Sequence, residues 1–251
     1  MSAILVIMRR EVQTYFVSPI AYTVIVGFLF ISGYGFLDAL DSYARTHPMR
    51  FALETASIQK DLVPQLNMWA NLATLLCLPA LSMRMFSEER KGGTIELLLT
   101  SPLTTAQLVV GKYLGALVVY GIIILLTTPY AFVLARIGNP EWGAMATTYL
   151  GFFLFGAVLL AVGLFASAIT ENQIVALVIT YAVFLPFFMI DEVVTLVGSG
   201  MGDILAGLSV AVAKEDFTRG LVDTHGLVLH GLLVVLFLYL AAQILDSNRW
   251  R

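Results

Sequence analysis

Glu88, Glu89, Arg90 and Lys91 stand side by side, with Arg84 four residues before Glu88 and Glu96 five residues after Lys91. Carboxylates and cations at this density suit recognition in water: they pair along a helix at i,i+4 and present charge to a partner. They do not point to catalysis. The chain has no HExxH, no GxSxG and no paired carboxylates inside an apolar run, so the common hydrolytic chemistries lack their residues. No glycine-rich loop leads into Lys-Ser or Lys-Thr, and Gly198, Gly200 and Gly202 read as tight external turns. His225 and His230 are five apart, a poor spacing for one helix face, and read as membrane-edge residues rather than metal ligands. The single cysteine, Cys77, gives neither a disulfide framework nor a thiolate metal site.

Around this cluster the chain is apolar. Of 251 residues, 59% are hydrophobic and 12% charged, with a mean hydropathy of +0.88. Soluble domains carry about 25% charge. Half that figure, with repeated apolar runs near 20 residues, marks an integral membrane protein with one membrane domain, 1–251. A net charge of −3 does not suggest a nucleic-acid partner. Six runs are long enough to span: 18–37, 64–83, 113–135, 145–169, 174–190 and 227–245. They lack period-2 alternation, so the expected fold is all-α with six transmembrane helices, kinked at Pro79, Pro129 and Pro186. None of the six holds Asp, Glu, Lys or Arg. That disfavours the main alternative, an ion-coupled secondary transporter, because charges inside the membrane usually mark ion paths.

Residues 2–17 are amphipathic. Ile4, Ile7, Met8, Val12, Tyr15 and Phe16 follow helical spacing, with Arg9, Arg10 and Glu11 between them, as in a helix lying in the membrane interface. Ser18-Pro19 ends it and starts span one. The 38–63 loop is expected outside, partly helical, and the 170–173 loop inside. The 191–226 segment keeps apolar stretches too short to cross, Val193–Val197 and Ile204–Ala213, and reads as an external re-entrant segment. Asp191 and Glu192 mark the outer end of span five. Gly111 and Gly115 form a GxxxG pair suited to close packing within the subunit. Basic residues number eight on the side of the termini (Arg9, Arg10, Arg84, Arg90, Lys91, Lys112, Arg249, Arg251) and six on the other. Both termini and the 84–112 segment are therefore expected in the cytoplasm.

Within 84–112, span two is expected to run on through Arg84 and Glu88–Arg90 and to stop at Gly92-Gly93. Thr94 can cap a new short helix over Ile95–Leu99, with Glu96 in its first turn. Ser101-Pro102 ends that piece, and Thr104 with Gln107 reads as a capping box opening span three. A short helix slung between two spans can plug into a groove on a partner.

This pattern resembles the ABC type-2 exporter permease family: Glu88-Glu89-Arg90, then Gly93-Thr94-Ile95-Glu96, Leu97-Leu98 and Ser101-Pro102-Leu103. Leu208-Ser209, Phe217, Gly220 and Asp223 before the last span are similar to the same family, and the overall look is nearest its gliding-motility-associated and copper-enzyme-maturation permeases. The resemblance implies a six-span permease with an N-terminal elbow and a re-entrant external segment. Its 84–112 segment would be the coupling element that contacts an ATPase subunit. It further implies two such ATPases, which bind ATP and magnesium, no cofactor in this chain, a second copy or a related permease beside it, and a place in the inner membrane. On that reading Glu96→Lys leaves the protein folded but abolishes stimulation of the ATPase.

Overall fold

The computed structural model describes residues 3–46, 62–95, 103–137, 140–197, 209–210, 217–218 and 220–249. In chain order these form α1 (Ala3–Val17), α2 (Pro19–Thr46), α3 (Val63–Ser82), α4 (Ser87–Lys91), α5 (Thr105–Leu126), α6 (Thr128–Ile137), α7 (Trp142–Ile169), α8 (Gln173–Val197) and α9 (Thr224–Arg249). No strand occurs among the described residues. Six stretches are long and apolar enough to cross a membrane: Pro19–Arg45, Val63–Lys91, Thr105–Ile137, Trp142–Ile169, Gln173–Ile190 and Thr224–Ser247. The expected all-α, six-span architecture is the one observed.

Several helices outrun the apolar runs that announced them, and the reasons are local. Span one continues to Thr46 because Asp38 finds donors across the bundle: its Oδ2 accepts from Gln65 Nε2 at 3.0 Å and from Trp69 Nε1 at 3.1 Å. An Arg45–Asp41 pair at 2.9 Å supports the next turn. The helix of span three starts at Thr105, ahead of the apolar run at 113, because the expected capping box forms. Thr104 Oγ1 accepts from Gln107 N at 3.3 Å, and Gln107 Oε1 accepts from Thr104 N at 3.2 Å. Lys112, placed by sequence in the connecting segment, therefore sits two turns inside α5. The membrane-long apolar stretch of span five ends at Ile190, before Asp191 and Glu192, but its helix does not stop there. The backbone of α8 carries on to Val197, so Val193–Val197 is its last turn rather than a separate helix. Of Ile204–Ala213, only Ser209 and Val210 are described, and both are buried.

Two of the predicted proline sites show how the broken backbone is made good. Proline has no N–H, so the carbonyl four residues earlier loses its helical donor. Behind Pro79 that carbonyl belongs to Leu75, and Tyr181 donates its hydroxyl to it at 2.8 Å. Behind Pro129 it belongs to Leu125, and Thr128 Oγ1 donates to it at 2.7 Å. Without water in the bilayer core, such substitutes are what permit proline in a span.

The packing centre is α7, which touches α3, α5, α8 and α9. In its most apolar stretch 72% of residues are buried by protein, against 17% for α8. Phe155, Leu159, Leu160, Val162 and Leu164 are all fully buried. Small residues let the helices close in: a Cβ added at Gly163 would fall 1.9 Å from Ser82 Oγ. A second apolar cluster, including Phe36, Tyr43, Leu62, Leu134 and Met145, closes the end of the bundle away from α4.

Candidate functional site

The charged cluster occupies a defined element. After Ser82 the ladder tightens, with Met85 N donating to Ser82 O at 3.2 Å, and it resumes when Arg90 N reaches Phe86 O at 2.9 Å. Span two thus does not run unbroken through Arg84. The regular helix stops at Ser82, tightens into a turn over 83–86, and resumes as α4. Ser87 Oγ donates back to Met83 O across that turn. The stop beyond α4 is a Schellman turn. Gly93 takes φ +67, Gly93 N donates to Arg90 O at 3.1 Å, and Thr94 N donates to Glu89 O at 3.0 Å. Thr94 Oγ1 also turns back to Glu89 O, at 3.3 Å. Ile95 begins a further helical turn and packs half-buried on the core. Glu96, Leu97, Leu98, Ser101 and Pro102 lie outside the described residues.

The four charges of α4 point different ways. Glu88 is exposed and receives Arg84 Nε at 3.1 Å, while Arg84 Nη1 donates to Ser18 Oγ at 2.9 Å. Glu89 points inward and meets Lys112 Nζ at 2.9 Å. Arg90 Nε and Nη2 are buried without a hydrogen-bond partner among the described residues, in the field of Glu171 on the α7–α8 turn. Lys91 is exposed.

The N-terminal helix closes the other side. Its Arg9 and Arg10 are exposed, while Glu11 faces inward and contacts Lys112 Nζ at 3.0 Å. The GxxxG pair makes this approach feasible. A Cβ at Gly111 would lie 2.7 Å from Ile7 Cβ, and one at Gly115 would lie 2.7 Å from Glu11 Cβ. The pair serves packing inside the chain, as its sequence suggested. Between α1, α4 and α5 lies a cleft of about 390 Å³ edged by Arg10, Arg84, Glu88 and Thr94. Its polar rim and single buried lysine suit contact and charge pairing rather than bond-breaking chemistry. Lys112 is the residue that sequence reasoning missed. Its only signal was its place between the two glycines, and nothing local shows that it is buried.

Phe217, Gly220 and Asp223 do not join this site. Asp223 opens α9 by accepting from His225 N at 3.2 Å, and Asp246, near the other end of α9, bonds Thr105 at the start of α5. Twenty-odd residues of helix separate the two ends by roughly 35 Å. Phe217 is fully buried, its carbonyl accepting from Thr147 Oγ1 at 2.8 Å and its ring edge-on to His230. Gly220 has φ +86 beside Ala144.

The geometry is a six-span bundle with a stopped, charge-bearing helix between spans two and three. The family described as "ABC-2 family transporter protein" matches residues 5–221. The chain belongs to that family. As an ABC-2 protein with six apolar helices it is a multi-pass membrane protein. It is also similar to "Probable multidrug ABC transporter permease YbhR" of Escherichia coli K12, 30% identical over 114 residues. That match covers 43% of this ABC-2 chain and 29% of YbhR. The protein of the same name in Escherichia coli O157:H7 matches to the same extent. The aligned part is thus less than a third of these curated relatives' length.

Proposed function

We propose that this chain is the permease subunit of an ABC transporter, driven by a separate ATPase that docks on α4 and the segment after it. The observation that supports this best is the position of α4. It is a one-turn helix, stopped by a left-handed glycine and packed against α7 and α8 on one side. Glu88, Lys91 and the Gly92–Thr94 turn stay exposed on the other.

In this reading ATP and magnesium sit on two partner ATPases, and this chain hydrolyses nothing. Arg84, Glu88, Glu89, Arg90, Gly93, Thr94 and Ile95, with Glu96, Leu97, Leu98, Ser101 and Pro102 beyond them, form the coupling element. Arg9, Arg10 and Glu11 belong to an elbow lying at the lipid interface. The α4 face and both termini face the cytoplasm, the membrane is the cell's inner membrane, and a second permease, identical or related, completes the pathway. Closure of the ATPases then moves α3 and α5 as rigid bodies, a switch between two packed states. The output is export of a cargo or mechanical work across the membrane. An ion-coupled carrier fits less well, since the buried ionic group joins two flanking helices to one span instead of crossing between spans.

The test is co-purification of the chain from its native host, identification of any ABC ATPase that accompanies it, then ATPase assays in lipid nanodiscs. Stimulation of the ATPase by this chain, lost in Lys91→Glu at normal expression, is the expected result. An ATPase that neither co-purifies nor responds overturns the reading.

A further inference from the structure

Lys112 is only 4% exposed, on a helix of apolar neighbours, and the family resemblance gives it no part. Its ammonium stands between two carboxylates from different elements, Glu11 of α1 at 3.0 Å and Glu89 of α4 at 2.9 Å, and 5.3 Å from the centroid of the Phe86 ring. The side chains of Glu11 and Glu89 are only 14% and 21% exposed. Removing Lys112 alone would leave two largely buried carboxylates without compensation. Among the described residues Glu89 Oε2 has no hydrogen-bond partner, and Lys112 is what holds that carboxylate in place. Two further links tie the N-terminal region to the end of span two just before α4: Tyr15 donates its hydroxyl to Leu81 O at 3.2 Å, and Arg84 Nη1 reaches Ser18 Oγ. The glycines at 111 and 115 bring α1 close enough for Glu11 to reach.

We propose that Lys112 is a positioning residue that yokes α1 to α4, so that a displacement of α4 carries the N-terminal helix with it. The source of that displacement rests on the coupling function above; the yoke itself does not. A lysine suits the role because its compact ammonium carries three donors that can serve carboxylates on opposite sides. The two carboxylates repel each other and only the lysine attracts both, so it is the group that joins them, and loss of the three charges frees α4 from α1 while Glu88, Lys91 and the Gly92–Thr94 turn are left unaltered.

The test uses the full chain in nanodiscs, with Cys77→Ala and spin labels at the exposed positions Gln13 and Lys91. The yoked protein gives one narrow α1–α4 distance distribution. The variant K112M/E11Q/E89Q removes all three charges, leaves no unpaired ion, and is expected to keep its melting midpoint while that distribution broadens. With the partner ATPase and without labels, stimulation by the variant falls roughly tenfold, the scale of an ordinary coupling energy, while the KM for ATP is unchanged. A distribution as narrow as the parent's overturns the yoke, whatever happens to stability. If the triple variant does not fold, Glu89→Gln alone, which keeps the Lys112–Glu11 pair, gives the same reading through its distance distribution. A broadened distance in a protein whose parent never stimulates an ATPase upholds the yoke and removes the proposed function.

Discussion

Tyr181 donates its hydroxyl to the carbonyl of Leu75 at 2.8 Å, the backbone oxygen that Pro79 leaves without a donor. One side chain on span five thereby completes the backbone of span two, and the two helices are held at the point where the second is weakest. Tyr181→Phe keeps the ring and removes the bond. The expected cost is about 1 kcal/mol, typical of a side-chain hydrogen bond in a membrane protein. For a chain of this size that lowers the melting midpoint by roughly 3 °C. An unchanged midpoint in detergent would mean that another donor serves Leu75.

The stop after α4 depends on one backbone angle. Gly93 has φ +67 with nothing within 4 Å of an added Cβ, so a side chain there meets strain and no clash. Gly93→Val should destabilise the turn by about 1–2 kcal/mol, the cost of a left-handed residue. Asn should cost less than Val, since it tolerates that region. Gly92 is right-handed, with φ −81, and Gly92→Ala makes a control with a smaller effect. Hydrogen exchange at the Thr94 amide, which bonds Glu89 O, reads the difference directly: faster in Gly93→Val, near parental in Gly92→Ala.

Gly111 and Gly115 separate packing within the chain from packing between chains. Leucine at either position drives atoms into Ile7 or Glu11. The expected cost is about 1–3 kcal/mol, as for overpacking elsewhere. The oligomeric state, measured by native mass spectrometry, should not change. A shift in subunit number with an unaltered melting midpoint would place these glycines at a seam between copies.

What could be read from the sequence was local. The six apolar runs, the Ser18-Pro19 break and the Thr104–Gln107 cap are all set by residues within a few positions of each other, and each appears as expected. What escaped depends on distant partners. Asp38 stays helical because Gln65 and Trp69 reach it from the next span, which no window along the chain displays. Lys112 looked like a loop cation because its carboxylates lie 101 positions away at Glu11 and on the far side of a turn at Glu89. The tightened turn after Ser82 carries no glycine or proline of its own, whereas the glycines at 92 and 93 drew attention to a later stop.

The crowding around α7 has a consequence for how the surrounding lipid acts on the molecule. A helix wrapped by four neighbours is screened by protein, while the rim helices, α8 above all, leave most of their length uncovered by the rest of the chain. A thicker or thinner bilayer therefore tilts the rim first, about an axle that keeps its place. Lipid composition would retune the outer wall of the bundle and leave its middle unchanged.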